Sequence, residues 1–501
     1  MATINNNISY DAHAKRWAVI RAFTDGESEL KRMDLARVGK PIREGDTSSP
    51  SFIRRINPSD LTVYNKQNNI NNINGAVLYN AVVKTRSGLL GMLYRKEPIE
   101  AELPEAIEYI YKNVDGSGLS MMQQSRSLSS DIVSIGRGGL LTDMPINEGR
   151  QITQADVDAG YRASIQFYRA ESIVDWHETV INNVKALDLL ILLENIETIK
   201  PGTVNERELS KQYKVYRLTA EGVTIEVYTE SKERGEDLVS VGAVAVMAAN
   251  NTPLRKIPFE FVGSKDNQPD IDSLPLEPIA AANRGHYQES ANLAETSFNL
   301  SACQPVIADD NYARYARDPK NEGSVELGSK SVVVLGSGGS FSLVAPPPNP
   351  LAKAVQDGYK DQMIELGAQL ITSGGMAETA EAAKLKHSSD VSDLEIMSSN
   401  ISEAYTKSIE HVCALMGVDY ESEYKFKLND EFFDMALSAD DAVKWVSVWQ
   451  GGAMSKTELD TIMVKGKAID SDVDLDAMNA LIDEEQVSNV NFDDPQGGAE
   501  E

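Results

Sequence analysis

The sequence predicts an α+β fold, because strand-like and helical patterns occupy different stretches of the chain. Between residues 130 and 265, short runs of Val, Tyr and Thr alternate with polar residues, as is typical of strands. Beyond residue 275, apolar residues recur at helical spacing over three long stretches. The chain of 501 residues is long enough for two to four packed regions with a sizeable core.

The first 70 residues are polar, rich in Asn, Arg and Ser, and only weakly periodic. This composition predicts a mostly irregular arm with one short helix near residues 17–23. A helical pattern follows over residues 77–94, and Pro98 is expected to stop it.

The stretch from 130 to 265 predicts an α/β region. Residues 131–137 fit either a short apolar helix or a strand. The segments whose composition and alternation suit the strands of one sheet are 138–144, 164–168, 189–194, 213–218, 223–228 and 239–246.

Two helical patterns flank a β-rich stretch between residues 275 and 372. Helices predicted at 276–300 and 351–371 would span about 37 and 32 Å, at about 1.5 Å per residue. Between them lie strand-like segments at 324–327, 331–335 and 340–344, the turn Gly336-Ser-Gly-Gly and the break Pro346-Pro-Pro. This order predicts a stalk with a small head at its end, although two core helices separated by an insertion would give the same pattern.

The flexible break Thr372-Ser-Gly-Gly precedes one long helical pattern over residues 376–416, with a possible kink at His387-Ser-Ser. A strand at 424–428 and helices at 440–449 and 456–465 are predicted next, the last one starting with the capping sequence Ser455-Lys-Thr-Glu458.

The C-terminal part holds two further features. Trp445 and Trp449 lie four residues apart on one helical face, where core packing is favoured over a subunit contact. Residues 470–501 contain eleven acidic side chains and no Lys or Arg, which predicts disorder after a short helix at 475–482.

The charge and the cysteine content limit the classes of function. A net charge of −28 disfavours tight binding of duplex DNA by the bulk surface, because such binding needs a basic face. An acidic chain can still surround DNA without holding it, and the alternative is that the acidity only confers solubility. Two isolated cysteines are typical of a protein made in a reducing cytosol. The sequence shows neither a signal-peptide pattern nor an apolar run of about 20 residues, so we expect no membrane association.

The sequence offers little catalytic chemistry. Gly136-Arg-Gly-Gly and Gly336-Ser-Gly-Gly lack the full GxGxxG spacing, and no GxxxxGK[ST] motif is present to hold nucleotide phosphates. A turn between strands explains the second stretch better. The five histidines are scattered, with no HExxH or HxH pair. We therefore expect no catalytic residue, no cofactor and no metal site.

Several segments, taken in order, resemble the phage portal proteins, particularly a podovirus-type branch once catalogued only as a domain of unknown function. The segments that carry the resemblance by their order and spacing are GMLYRKEP (91–98), VDGSGLS (114–120), GRGGLLTDMP (136–145), YRAESIVDWHE (168–178), IPFEFVGS (257–264), LPLEPIAAANRGHYQESANL (274–293), QPVI (304–307), DQMIELGAQLI (361–371) and ETAEAAKLKHSSDVSDL (378–394).

The resemblance implies a portal fold with an α/β wing, a two-helix stem, a small β-rich clip, a long helix behind a tunnel loop, and a short helical crown. On this sequence it implies an N-terminal arm at 1–70, the wing at 71–270, the first stem helix at 271–302, the clip at 303–348, the second stem helix at 349–371, the tunnel loop at 372–377, the long helix with a wing return at 376–436, crown helices at 437–469 and an acidic tail at 470–501. The short crown departs from the larger portals.

The resemblance also implies partners and a location. Twelve copies would form a ring at one capsid vertex of the virion, after assembly in the host cytoplasm and away from any membrane. The ring would contact the major capsid and scaffolding proteins and pass double-stranded DNA without sequence preference. The large terminase would dock on the clip during packaging, and the head–tail adaptor afterwards.

Candidate site residues follow from this mapping. The DNA-channel candidates are Lys353, Lys360, Thr372, Ser373, Gly374, Gly375, Lys384 and Lys386. The candidates for docking at the clip are Arg314, Arg317, Lys320, Glu326 and Lys330. For each lysine of the channel set, an ordinary solvated or intersubunit charge is the alternative interpretation.

Two other functions remain open. Another virion structural protein, such as a capsid subunit or a head–tail adaptor, is disfavoured by the stalk-like helix pair and by the length of the chain. A nucleotide-dependent enzyme is disfavoured by the missing phosphate loop.

Overall fold

The computed structural model mixes helices with antiparallel sheets, which confirms the predicted α+β class. The chain divides into two compact units, Met1–Asp430 and Glu431–Glu501. The residues that the structure describes are 4–38, 40, 51–54, 62–145, 160–200, 202–230, 238–301, 304–310, 314, 335–344, 350–366, 380–430, 439–465, 478 and 481.

The N-terminal part is helical where the structure describes it, so the prediction of a mostly irregular arm is wrong there. Helices α1 (Ile8–Asp25), α2 (Glu27–Leu35) and α3 (Val63–Gly75) precede α4 (Ala81–Leu93). The apolar face of α1 is narrow, with Trp17, Ile20, Ala22 and Phe23 as its buried residues. Because polar side chains surround this stripe, its periodicity is weak in the sequence.

Helix α5 (Met121–Ile135) follows the two-residue strand β1 (Ile99–Glu100). Ser120 and Gln123 form a capping box at its start, and Gly136 ends it in the left-handed region at φ 76°. The pattern at 131–137 therefore marked only the last turn of a longer helix. The earlier turns escaped prediction because their buried face carries polar side chains, among them Gln124 and Ser129.

A partly buried ion-pair network joins α1 to α5. The Arg21 guanidinium donates to both carboxylate oxygens of Asp131, at 2.6 and 2.7 Å. It also donates to Glu171, at 2.8 and 3.0 Å. The N-terminal helix is thus fixed to the body of the first unit by a fork of charged hydrogen bonds.

The strands form two antiparallel sheets. The first has β2 at its centre, with the order β3-β2-β9; its strands are β2 (Arg137–Asp143), β3 (Ser164–Arg169) and β9 (Phe259–Gly263). The second has its strands in chain order, β4 (Ile173–Ile181), β5 (Val184–Ile199), β6 (Arg207–Leu218), β7 (Val223–Glu230) and β8 (Leu238–Ala245).

The described strands of the predicted wing form two sheets, and their pairings are antiparallel, so the expectation of a single sheet in an α/β wing is wrong. Between β4 and β5 and between β6 and β7, short turns replace the helical crossovers that parallel strands need. The turn between β4 and β5 has Asn182 and Asn183 at φ 52° and 64°, the backbone that a two-residue hairpin favours.

A shared apolar core lies between the two sheets. Trp176, Leu190 and Tyr216 of the larger sheet belong to the same buried cluster as Phe259 and Phe261 of the smaller one. The Arg137 guanidinium lies 4.2 Å from the Trp176 ring centroid and 4.8 Å from that of Phe261. Trp176 is therefore a core residue.

The remaining elements of the first unit are helices α6 (Glu277–Ser301), α7 (Leu351–Glu365) and α8 (Ala380–Met416), and strands β10 (Gln304–Ala308), β11 (Ser340–Val344) and β12 (Phe426–Lys427). The bounds of α6, β11 and α8 confirm the predicted elements, and α8 runs unbroken through residues 387–389. β12 is shorter than the predicted strand at 424–428 and pairs with β1.

The second unit contains helices α9 (Ala439–Gln450) and α10 (Lys456–Lys465), as predicted. Ser455 and Glu458 exchange the expected capping hydrogen bonds, at 3.2 and 3.0 Å. Trp445 keeps 37% of its surface exposed, so the preference for core packing is wrong for this residue. Apart from residues 478 and 481, the acidic tail at 470–501 lies outside the described residues.

Candidate functional site

Helices α6 and α7 lie side by side in opposite directions. A Cβ atom built on Gly285 of α6 would lie 2.4 Å from Cζ of Tyr359 in α7, so only glycine admits this contact. Further along, Asn292 and Thr296 of α6 line a groove with Leu351, at the start of α7. Residue numbers rise along one helix as they fall along the other, which makes the pair antiparallel.

The base of this helix pair is anchored in the core of the first unit. Ile279, Tyr287 and Ala291 of α6 are buried with the apolar faces of the N-terminal helices, and Met363 of α7 joins the same cluster. At the start of α6, Glu277 accepts a hydrogen bond from Nε of Arg16 at 2.6 Å.

The far end of the helix pair is more exposed. The groove there has a volume of about 380 Å³, and the acidic side chains of Glu289 and Glu295 line it together with Val355. After Ala291, no described side chain of α6 is buried. The pair is therefore held at one end and open to solvent at the other.

A small antiparallel hairpin stands between the two helices. Gln304 of β10 pairs with Val344 of β11, and Ala308 pairs with Ser340. Before β11, the Gly336 N–H donates to Oδ2 of Asp309 at 2.7 Å. β11 confirms the predicted strand at 340–344, and the Gly339 N–H donates to the Gly336 carbonyl at 3.0 Å, which confirms a turn in the second glycine-rich stretch. The predicted strand segment at 324–327 and residues 331–334 of the next one lie outside the described residues.

Two of the predicted channel lysines share one face of α7, because a spacing of seven residues is close to two helical turns. Nζ of Lys353 lies 2.7 Å from Oδ1 of Asp357, so its charge is paired within the helix. Nζ of Lys360 lies 5.8 Å from the centroid of the Tyr79 ring. Both lysines are exposed.

The Tyr79 ring collects further basic groups that the sequence did not single out. Nζ of Lys84 lies 6.0 Å from its centroid, and the His286 ring lies 5.5 Å away. Burial, reinforced by the charge of Lys353, lowers the pKa of His286. The cluster joins elements far apart in the chain, so no local pattern could have revealed it.

The other predicted site residues are largely outside the described part of the chain. Arg314 is described and exposed, whereas Arg317, Lys320, Glu326 and Lys330 are not described. The predicted tunnel-loop residues Thr372, Ser373, Gly374 and Gly375 also lie outside it. Lys384 and Lys386 belong to α8, but their side chains are not described.

The first glycine-rich stretch serves packing. A Cβ atom on Gly139 would lie 2.2 Å from Cζ of Phe259, and one on Gly138 would lie 2.8 Å from the Leu128 side chain. Both glycines are buried in β2, where their backbone lies against these side chains.

Among the described residues, Cys413 is a free and buried cysteine. Burial raises the pKa of the Cys413 thiol to about 11, which leaves it protonated at neutral pH. Within the described ranges, no three His, Cys, Asp or Glu side chains are placed to share a metal ion. No helix in the described part of the chain is long and apolar enough to cross a bilayer.

Three comparisons with known proteins bear on this chain. Residues 275–416 match a family described as a domain of unknown function, DUF4055, and this stretch contains α6, the hairpin, α7 and α8. No curated protein matches the chain.

Among solved structures, the chain is similar to proteins in gene transfer agent (GTA) particles. One is in the neck of a native GTA particle computed with C12 symmetry, with 11% identity, a TM-score of 0.39, and coverage of 77% of this chain and 89% of that one. Two others have 12% identity, the same TM-score and coverage of 77% of this chain. One is in the virion of the native GTA particle, with 89% of that chain covered, and the other is in the neck of the empty particle computed with C6 symmetry, with 90% of that chain covered.

Proposed function

We propose that this chain is a phage portal protein, which forms a ring at one capsid vertex as the channel for DNA packaging and ejection. One observation carries the proposal: an antiparallel helix pair, with a hairpin between its members, is followed by the 37-residue helix α8. The sequence resemblance implies the same order for the stem, the clip and the long helix.

The way the helix pair is held supports a stem. Its base is buried against the N-terminal helices, and its far end is exposed toward the hairpin. A rod fixed at one end can project the hairpin away from the body of the subunit. In the proposed ring the hairpins form the clip, where terminase and then the head–tail adaptor dock, and the exposed Arg314 belongs to that docking surface.

Charge supports a passive channel. Twelve copies at −28 each carry 12 × −28 = −336 formal charges, and a predominantly acidic wall repels phosphate. Duplex DNA then slides without deep binding minima, while salt limits the repulsion to about 8–10 Å. Lys360 provides a weak contact to phosphate that does not depend on sequence.

The two lysines of α7 give this channel a matched test. Lys360→Glu should lower the slope of log affinity against log salt for a short duplex by about 1, because it removes one phosphate contact. Lys353→Glu should change the slope less, since Asp357 already pairs with that lysine. Fluorescence anisotropy of assembled rings from about 50 to 200 mM salt measures both slopes. Equal slopes for the wild type and both variants would contradict a contact between Lys360 and the DNA.

The proposed protein is a conduit without catalytic residues, which an ATPase assay with DNA present tests directly. Turnover above that of a buffer blank would contradict it and favour a nucleotide-dependent enzyme.

The mass of the purified assembly tests the ring. Twelve copies of a 54.8 kDa chain give about 658 kDa, which mass photometry resolves from a monomer. A species near that mass, with a central hole in negative stain, is the expected result. Closed shells or small discs would instead favour a capsid subunit or an adaptor.

A further inference from the structure

A two-stranded ribbon projects from the larger sheet. β5 pairs with β4 only as far as Leu192, and β6 pairs with β7 only from Gln212 onward. Beyond these points β5 and β6 continue as partners of each other, as far as Ile199 and Arg207. We call this segment, residues 195–200 and 202–211, the ribbon.

The ribbon exposes apolar side chains that a lone hairpin should not carry. Ile199 is 63% exposed, Leu209 is 73% exposed and Val204, near the tip, is 94% exposed. In the described part of the chain, no third strand pairs with the ribbon. An isolated two-stranded hairpin is only marginally stable in water, so contact with another surface would stabilise it.

The ribbon is electrically neutral in a strongly acidic chain. Its three acidic residues are matched by three basic ones, namely Glu197, Glu206 and Glu208 with Lys200, Arg207 and Lys211. The pairs Arg207–Glu197 and Lys200–Glu206 have N–O distances of 2.7 and 3.1 Å. Copies that each carry −28 repel one another least where their surfaces are uncharged.

A second neutral and apolar surface lies at the edge of the same sheet. β8 is an edge strand with no charged residue, and its Val239 and Val241 are 52% and 76% exposed. Edge strands usually carry charges that prevent association, and the opposite edge strand, β4, has Asp175 and Glu178. A bulge opposite Val227 interrupts the pairing of β8 with β7 and bends the strand. Another copy is therefore expected to contact β8 through side chains and not by adding a continuous strand.

The two surfaces lie on opposite faces of the sheet. Val239 pairs with Thr229, which pairs with Gln212, so these three side chains share one face. Leu209 is three residues before Gln212 on the same strand and therefore points to the other face. The ribbon thus cannot contact the β8 surface of its own chain.

We propose that the ribbon of one copy docks, through Ile199 and Leu209, on the β8 edge of the next copy. The inference rests on the proposed function, because a closed ring needs two different surfaces on each chain. It identifies those two surfaces in the predicted wing.

Charge substitutions in the full-length chain test the contact. Val239→Glu and Leu209→Glu each place an unpaired charge in the proposed interface, so the fraction of chain in rings should fall about tenfold or more. Val180→Glu, at the β4 edge and 65% exposed, is the matched control and should assemble like the wild type. Circular dichroism should be unchanged in all three, because each side chain is at least half exposed.

Cysteine cross-linking tests the pairing itself. A mixture of the Leu209→Cys and Val239→Cys chains should form a mixed disulfide dimer under oxidation, and either variant alone should not. Rings that survive both glutamate substitutions, or a Leu209→Cys chain that cross-links with itself, would overturn the docking while leaving the portal proposal intact. A wild-type chain that never forms rings would contradict both.

Discussion

Replacing Arg21 by alanine should strongly destabilise the first unit. The substitution removes four hydrogen bonds to Asp131 and Glu171. The Asp131 side chain is only 6% exposed, and its nearest remaining ion pair is with Arg169 at 3.9 Å. Leaving a buried carboxylate without its partner costs about 3–5 kcal/mol. The Glu171 side chain is 35% exposed and regains water, so we expect a total loss of about 3–5 kcal/mol.

Urea unfolding followed by tryptophan fluorescence measures this loss, since Trp17 is buried on the same helix. Arg32→Ala is the matched control, because Arg32 pairs with Glu29 at the surface and is 67% exposed. Its loss should be much smaller, because exposed ion pairs contribute little to stability. Equal losses in the two variants would refute the argument that burial makes the Arg21 network strong.

Two further predictions concern other buried contacts. Burial raises the pKa of Glu260, but the hydrogen bond with His411 at 2.8 Å, the hydrogen bond from Lys256 at 2.7 Å and the charges of both residues together outweigh it, and the pKa falls to about 2. The lowered pKa contributes about 3 kcal/mol to the free energy of unfolding above about pH 4.5, and this contribution is lost as the pH falls toward 2. Glu260→Gln removes the titrating group, so a plot of unfolding free energy against pH should be flatter for this variant in that range. Gly139→Ala should cost about 1–3 kcal/mol in urea unfolding, because its Cβ meets the Phe259 ring. Gly88→Ala, with open space around it in α4, should stabilise by about 0.5–1 kcal/mol. A Gly139→Ala chain as stable as the wild type, or a Gly88→Ala chain less stable than it, would contradict the packing argument.

Local patterns were sufficient where one face of an element is clearly apolar. β2 was predicted from its short apolar run, which is typical of a buried strand, and β7 from its alternation. α8 was predicted because its apolar stripe runs over many turns. The start of α10 was predicted because the Ser455 capping sequence is a local signal.

Other elements depend on distant contacts and could not be predicted. The helix α1 forms because Arg21 and its apolar stripe find partners more than a hundred residues away. Only six residues of the 16-residue strand β5 were predicted, since both ends of the strand are exposed or partly exposed and mix polar with apolar residues. The ribbon and its neutrality become visible only when the pairing of β5 with β6 is known.

The candidate site was predictable to a similar extent. Lys353 and Lys360 could be placed on one helix from spacing alone. The pairing of Lys353 with Asp357 is also a local i, i+4 contact. The approach of Tyr79 and Lys84 to Lys360 depends on tertiary packing, which no local pattern encodes.

The most direct test of the portal proposal is an averaged end-on image of the purified, full-length chain, with its rotational symmetry counted. The account predicts an annular particle of twelve subunits around an open centre, and the same ring at a single vertex of the virus. A chain that remains monomeric at high concentration, in a virus that contains no such ring, would contradict it.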